Sequence, residues 1–174
     1  MTPLNHDLDP NNIFISEDLE AILTFAEIAD EFCDWVEVGT VDYEDEIYSA
    51  LNLLSALYQQ ILQVPEVEPH YEDIDLLGLH HREALEIVER FDDLPFHRYQ
   101  SIIDPLADKE QTSESRDIRI DLKNIYLEIR EGLNLYQDGK RPSAVFHWTS
   151  SFAFEWGRHG VDAQKALHAF LARV

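Results

Sequence analysis

A chain of 174 residues with 45% hydrophobic residues and 19 aromatics has the length of one domain and enough apolar material for a packed core, which excludes wholesale disorder despite a formal net charge of −22. Its one cysteine, Cys33, excludes an internal disulfide and points to a reducing compartment. The charge is unevenly placed: 24 of the 35 carboxylates lie at or before Pro95, opposed only by Arg82 and Arg90, whereas residues 96–174 carry 11 charges of each sign.

Taken in chain order, residues 1–15 are expected to form a mobile arm and 16–174 a single helical domain. Met1–Asn12 is polar and holds two prolines, and it has neither the basic nor the apolar region of a signal peptide, so a cytoplasmic location is expected. Ser16 is placed to cap a helix whose first turn carries Glu17 and Asp18, favourable beside the positive end of the helix dipole. Leu19, Ile22, Leu23, Ala26, Ala29, Phe32, Cys33 and Val36 recur at helical spacing as its apolar stripe. Cys33 falls among Phe32, Trp35 and Val36, the setting of a buried structural thiol. Gly39 ends the helix.

Asp42 opens a second helix. Residues 47–64 are uncharged, but Ser49, Asn52, Ser55, Gln59, Gln60 and Gln63 are too many polar groups for an isolated membrane span. A central core helix is expected there, stopped by Pro65 and followed by an acidic connection through Tyr71–Asp75. A third helix is expected over His80–Phe91, a short helix over Leu94–Pro105 and a flexible loop over Ala107–Ser115. Asp117–Gln137 shows strong helical periodicity through Ile118, Leu122, Ile125, Ile129, Leu133 and Tyr136. Pro142 suits the first turn of a last helix running to Arg173, with a bend expected at Gly157 or Gly160. No stretch alternates with period two. The fold class read from these elements is all-α, one bundle-like domain of five to six helices.

Signatures of common chemistry are absent: no P-loop, dinucleotide fingerprint, His-Glu-x-x-His, Cys-x-x-Cys or Gly-x-Ser-x-Gly occurs. A protein without enzymatic activity is the expectation, with no cofactor. On a regular helix Glu155, His159 and Asp162 project from one face, where they could ligate a divalent metal or simply hydrogen-bond to one another. No Glu-x-x-His is present to complete a carboxylate-bridged site, and no metal is expected. Trp148, Phe152 and Trp156 share a face and either pack in the core or line a groove.

Two functions follow from these features. In the first, Glu27, Asp30, Glu31, Asp34, Glu37, Glu44, Asp45 and Glu46 form an acidic face that docks a basic protein partner, one version being imitation of nucleic acid. Direct binding of nucleic acid is not expected on the same electrostatics, nor is a membrane partner. In the second, Asp121, Tyr126, Trp148, Glu155, Trp156 and His159 form a pocket for a small ligand or metal.

The later half, roughly residues 95–170, resembles a bacterial family of all-helical domains of unknown function. The matching residues are Asp121, Leu122, Ile125, Tyr126, Gly132, Trp148, Ser151, Phe152, Trp156, Gly157 and His159, with Ile103-Asp-Pro as a weaker third element. The string Trp-x-x-Ser-Phe-x-x-x-Trp-Gly-x-His carries most of the resemblance, and Gly160 departs from it. The resemblance implies a helical fold and a bacterial source. It implies no activity, and so no catalytic residue, but it draws attention to Tyr126, Trp148, Trp156 and His159.

Overall fold

Helix α1 spans Ser16–Val38. Its start is closed by Asp18, whose carboxylate accepts the N–H of Ile15 at 3.2 Å, so Ser16 begins the first turn rather than capping it. Phe25 and Trp35 join the buried stripe, while Leu23 is half exposed. Asp42 caps α2 (Tyr43–Ile61) by accepting the N–H of Glu44 at 2.7 Å. The computed structural model describes residues 13–39, 42–68, 81–102, 104–107 and 113–173. Residues 1–12 of the arm expected over 1–15, the acidic connection at 71–75, Ile103 and residues 108–112 of the expected loop lie outside the described residues, while Phe14 of that arm is buried in the core.

α2 buries Ile47, Ala50, Leu54, Leu57 and Ile61 against α1 and the last helix, and leaves Asn52, Ser55 and Gln59 in water. It is therefore a flanking helix, not the central one. Its outer face is polar without being charged, which made it read as apolar on most sides. The central position belongs to α4 (Ile118–Gln137), which packs against α1, against α3 (His81–Arg90) and against both parts of the last rod. That rod consists of α5 (Arg141–Ser151), a wider π turn (Phe152–Trp156) and α6 (Gly157–Leu171), running on without a break. The fold is mostly helical, as the periodicity indicated, with five helical rods among the described residues. No described helix is long and apolar enough to cross a membrane.

The segment expected as a short helix before Pro105 is instead a strand. β1 (Arg98–Ile102) pairs antiparallel with β2 (Ser113–Asp117), Arg98 opposite Asp117 and Tyr99 opposite Arg116. The inward positions include Tyr99, Ser101 and Arg116, so the strands lack the apolar alternation that ordinarily reveals a sheet.

The core is organised around Trp148, which is fully buried, with Phe25 meeting it edge-on at 4.8 Å. Its indole N–H donates to the Ile129 carbonyl at 3.2 Å, and the Trp156 indole donates to the Trp148 carbonyl at 3.2 Å. Trp148 lies on α4 at Gly132, where an added Cβ would fall 2.1 Å from the indole nitrogen. Cys33 is fully buried, and burial pushes its thiol up to about 12, leaving it protonated at neutral pH. Gly132→Ala is expected to lower stability by roughly 1–3 kcal/mol through overpacking. Urea unfolding followed by tryptophan fluorescence measures this, and an unchanged midpoint would contradict the seat described.

Candidate functional site

The hairpin register makes Tyr99 and Arg116 direct cross-strand neighbours, so both side chains leave the same face of the ribbon. β2 runs straight into α4, with Asp117 accepting the N–H of Arg119 at 3.0 Å as the cap. One turn later comes Asp121, 1% exposed, directly beneath that face. Its Oδ2 accepts the Tyr99 hydroxyl at 2.6 Å, and its Oδ1 accepts Arg116 Nη2 at 2.6 Å. From α6, His159 brings Nδ1 to 2.6 Å from the same Oδ1 and 2.7 Å from Arg116 Nη2. Asp162 accepts the other guanidinium nitrogen at 2.8 Å, and Asn124 Nδ2 stands 3.3 Å from His159 Nε2.

The tautomer with Nδ1–H donating to Asp121 and a bare Nε2 accepting from Asn124 satisfies two of the three imidazole contacts, and leaves the 2.7 Å approach of Arg116 Nη2 to Nδ1 as a meeting of two donors over their shared Asp121 oxygen. It is assigned from the partners. Burial, then the hydrogen bond to Asp121 and that group's charge, raise the Tyr99 phenol well above its ordinary 10.0. Burial opposes the charge of Arg116, but Asp121, Tyr99 and Asp162 together outweigh it and hold the guanidinium above its usual value. The cluster is thus a cation held between two carboxylates. A metal is disfavoured because the guanidinium sits where the ion would be; among the described residues no three His, Cys, Asp or Glu are arranged to hold one.

Of the six residues expected to share a pocket, only Asp121 and His159 join the polar cluster. Trp148 and Trp156 are core, at 0% and 1% exposure. Tyr126 turns toward α1, its hydroxyl donating to Glu37 at 2.8 Å. Glu155 is exposed and lies inside the π turn, where residues no longer follow the regular helical spacing that would put it on one face with His159. Gly157 makes the wide turn possible, since a Cβ there would lie 2.4 Å from the Phe152 carbonyl oxygen. Sequence reasoning missed Tyr99, Arg116 and Asn124. The only sequence signal for the first two was the polar alternation of two strands whose pairing is nonlocal.

The expected acidic face divides in two. Glu27, Asp30, Glu31, Asp34, Glu44 and Asp45 are exposed. Glu46 is not: it is 5% exposed, accepts the Trp35 indole N–H at 3.3 Å and pairs with Arg90, because a carboxylate at the foot of α2 meets those two donors from α1 and α3. Glu37 is partly covered by its ion pair with Arg130. Two cavities adjoin the buried cluster. Tyr99 lines one of about 410 Å³ between β1 and α6, and Asp162 lines another of about 370 Å³ beside the π turn.

A helical domain with a two-stranded hairpin pinned to its central helix by a buried Asp–Arg–His–Tyr cluster is the class these features define. The chain belongs to the family described as a domain of unknown function, DUF5063, whose model matches residues 16–173. It is similar in fold to the crystal structure of protein BF1032 from Bacteroides fragilis, with a TM-score of 0.72 and 20% identity over 87% of this chain and 95% of that one. No curated protein matches it.

Asp121→Asn leaves Arg116 and His159 without their shared anion and is expected to cost roughly 3–5 kcal/mol in urea unfolding; a loss under about 1 kcal/mol would show the cluster to be dispensable. The Tyr99 hydroxyl generates a separate pH dependence. Its folded pKa lies above the unfolded value of 10.0, so its contribution is whole below pH 10 and is lost as pH rises beyond it. The stability difference between wild type and Tyr99→Phe should accordingly hold up to about pH 10 and shrink as pH rises from there toward about 12. A difference that stays constant would refute the shift.

Proposed function

We propose that the protein is a non-enzymatic interaction protein of the cytoplasm whose acidic α1 face docks a basic partner. The observation that carries this reading is the row Glu27, Asp30, Glu31 and Asp34. These residues stand at i, i+3, i+4 and i+7 on α1, all exposed, and none forms an ion pair among the described residues. Glu44 and Asp45 lie exposed at the start of α2, which packs against α1. Carboxylates repeated about 5–6 Å apart set up a line of negative potential that steers a basic surface and resembles, in charge spacing, a nucleic-acid backbone. By contrast, Arg90, Arg116, Arg119 and Arg130 are each held by a carboxylate.

A second reading, small-ligand binding in the C-terminal half, is favoured by the cavity whose wall contains Tyr99. It takes the place of a pocket built on the two tryptophans, which are core.

The docking reading is tested by titrating a 20-residue Lys/Arg-rich peptide into three proteins: wild type, a variant with Glu27, Asp30, Glu31 and Asp34 changed to their amides, and a charge-matched control with Glu66, Glu68, Glu89 and Asp93 so changed. The face variant should bind about tenfold more weakly than the control at low salt, and wild-type affinity should fall as salt rises. Equal loss in both variants would mean that net charge alone attracts the peptide, and the docking face would be abandoned.

A further inference from the structure

We propose that the cavity between β1 and α6 binds a small organic anion, a carboxylate or phosphate ester carried on a flat apolar body. The proposal rests on the small-ligand reading above and names the chemistry of its ligand.

Charge is the first argument. Arg98, Lys165 and Arg173 line this cavity, and no Asp or Glu is among its lining residues. In a chain with 35 acids and 13 Lys and Arg, three cations converge here from two elements that are distant in sequence. Lys165 and Arg173 form no ion pair among the described residues. The nearest acid to Arg98 is Asp117 at 4.0 Å, and that carboxylate is already engaged by Arg119 at 2.8 and 3.0 Å. Arg173 lies just past the negative end of α6, whose dipole amounts to about half an elementary charge, and Lys165 lies about two turns before that end. Two full charges exceed that, and Arg98 from the hairpin adds a third, so the cavity mouth is positive on balance.

Shape is the second argument. About 410 Å³ falls within the range of small-molecule sites, roughly 300–1,000 Å³. The room comes from Ala166 and Ala169, whose short side chains leave the α6 surface low. Phe96 and Phe170 stack at 5.4 Å with their planes 23° apart and supply a flat apolar wall suited to an aromatic group. Tyr99 completes the lining, and its hydroxyl bond to Asp121 holds the ring in one orientation before any ligand arrives. The buried cluster thus positions the cavity wall, while the cations at the mouth select the charge of what enters.

The test uses the full chain and the dye 8-anilinonaphthalene-1-sulfonate, an aromatic anion, beside N-phenyl-1-naphthylamine, the same body without the charge. The sulfonate should bind at least about tenfold more tightly than the amine. Lys165→Glu and Arg173→Glu should each weaken the sulfonate about tenfold, while Lys140→Glu, an equal change in charge away from the cavity, should leave it within about twofold. Ala169→Trp, at an exposed position that keeps the net charge, should abolish binding by filling the space. Circular dichroism checks that each variant is folded. Displacement of the dye by 2-naphthoate or 2-naphthyl phosphate identifies the preferred head group, and displacement by neither overturns the ligand class. If Ala169→Trp blocks both dyes but the glutamate variants match Lys140→Glu, the cavity binds ligands and the anion proposal fails alone. If neither dye binds, or Ala169→Trp changes nothing, the small-ligand reading fails with it.

Discussion

A carboxylate buried to 1% exposure must be surrounded by donors, and Asp121 draws three of them from three different elements. Removing such a group from water costs several kcal/mol unless charge and hydrogen bonds compensate. Tyr99 from β1, Arg116 from β2 and His159 from α6 provide that compensation, and in doing so fasten both strands and the last helix to the central one. A two-stranded ribbon is marginal alone. This one has polar residues on its inner face and keeps its place through those bonds and through Ile118 N–H donating to the His97 carbonyl at 2.9 Å.

The same logic recurs at two smaller joints. Glu46 gathers the Trp35 indole and Arg90, tying α2 to α1 and α3, and Arg90 also lies 4.8 Å over the Phe91 ring. Glu37 gathers Arg130 and the Tyr126 hydroxyl, tying α1 to α4. Inward carboxylates are therefore spent on holding helices together and recruit most of the paired arginines. Glu27, Asp30, Glu31 and Asp34, left in water on α1, have no such duty, and Lys165 and Arg173 at the β1–α6 cavity have none either. The two surfaces with unspent charge are of opposite sign and sit on different elements.

The π turn connects packing to this arrangement. With Trp148 seated against Gly132 and Trp156 hydrogen-bonded back to its carbonyl, the rod needs an extra residue to keep both indoles inside and still present His159 and Asp162 to Arg116. Gly157 accommodates that residue, and Glu155 is turned outward as the consequence. The Trp-x-x-Ser-Phe-x-x-x-Trp-Gly-x-His string thus describes a wide helical turn whose last residue reaches the polar cluster.

Periodicity and end signals in the sequence were sufficient for the helices α1, α2 and α4, for the first turn of α5 and for the burial of Cys33, because these depend on residues three or four apart. Asp121 and His159 were also legible as members of one site. Tertiary structure alone decided that α4 rather than α2 is central, since an uncharged outer face reads like a buried one until its neighbours are known. It also decided the hairpin and with it Tyr99 and Arg116, whose meeting depends on a register between strands at least ten residues apart. The fate of Glu46 and Glu155 was settled in the same way: one was drawn inward by donors on other helices, the other rotated out by a single wide turn. Local spacing specifies which face a side chain occupies on a regular helix. What that face meets, and where the helix ceases to be regular, is set by contacts far apart in the chain.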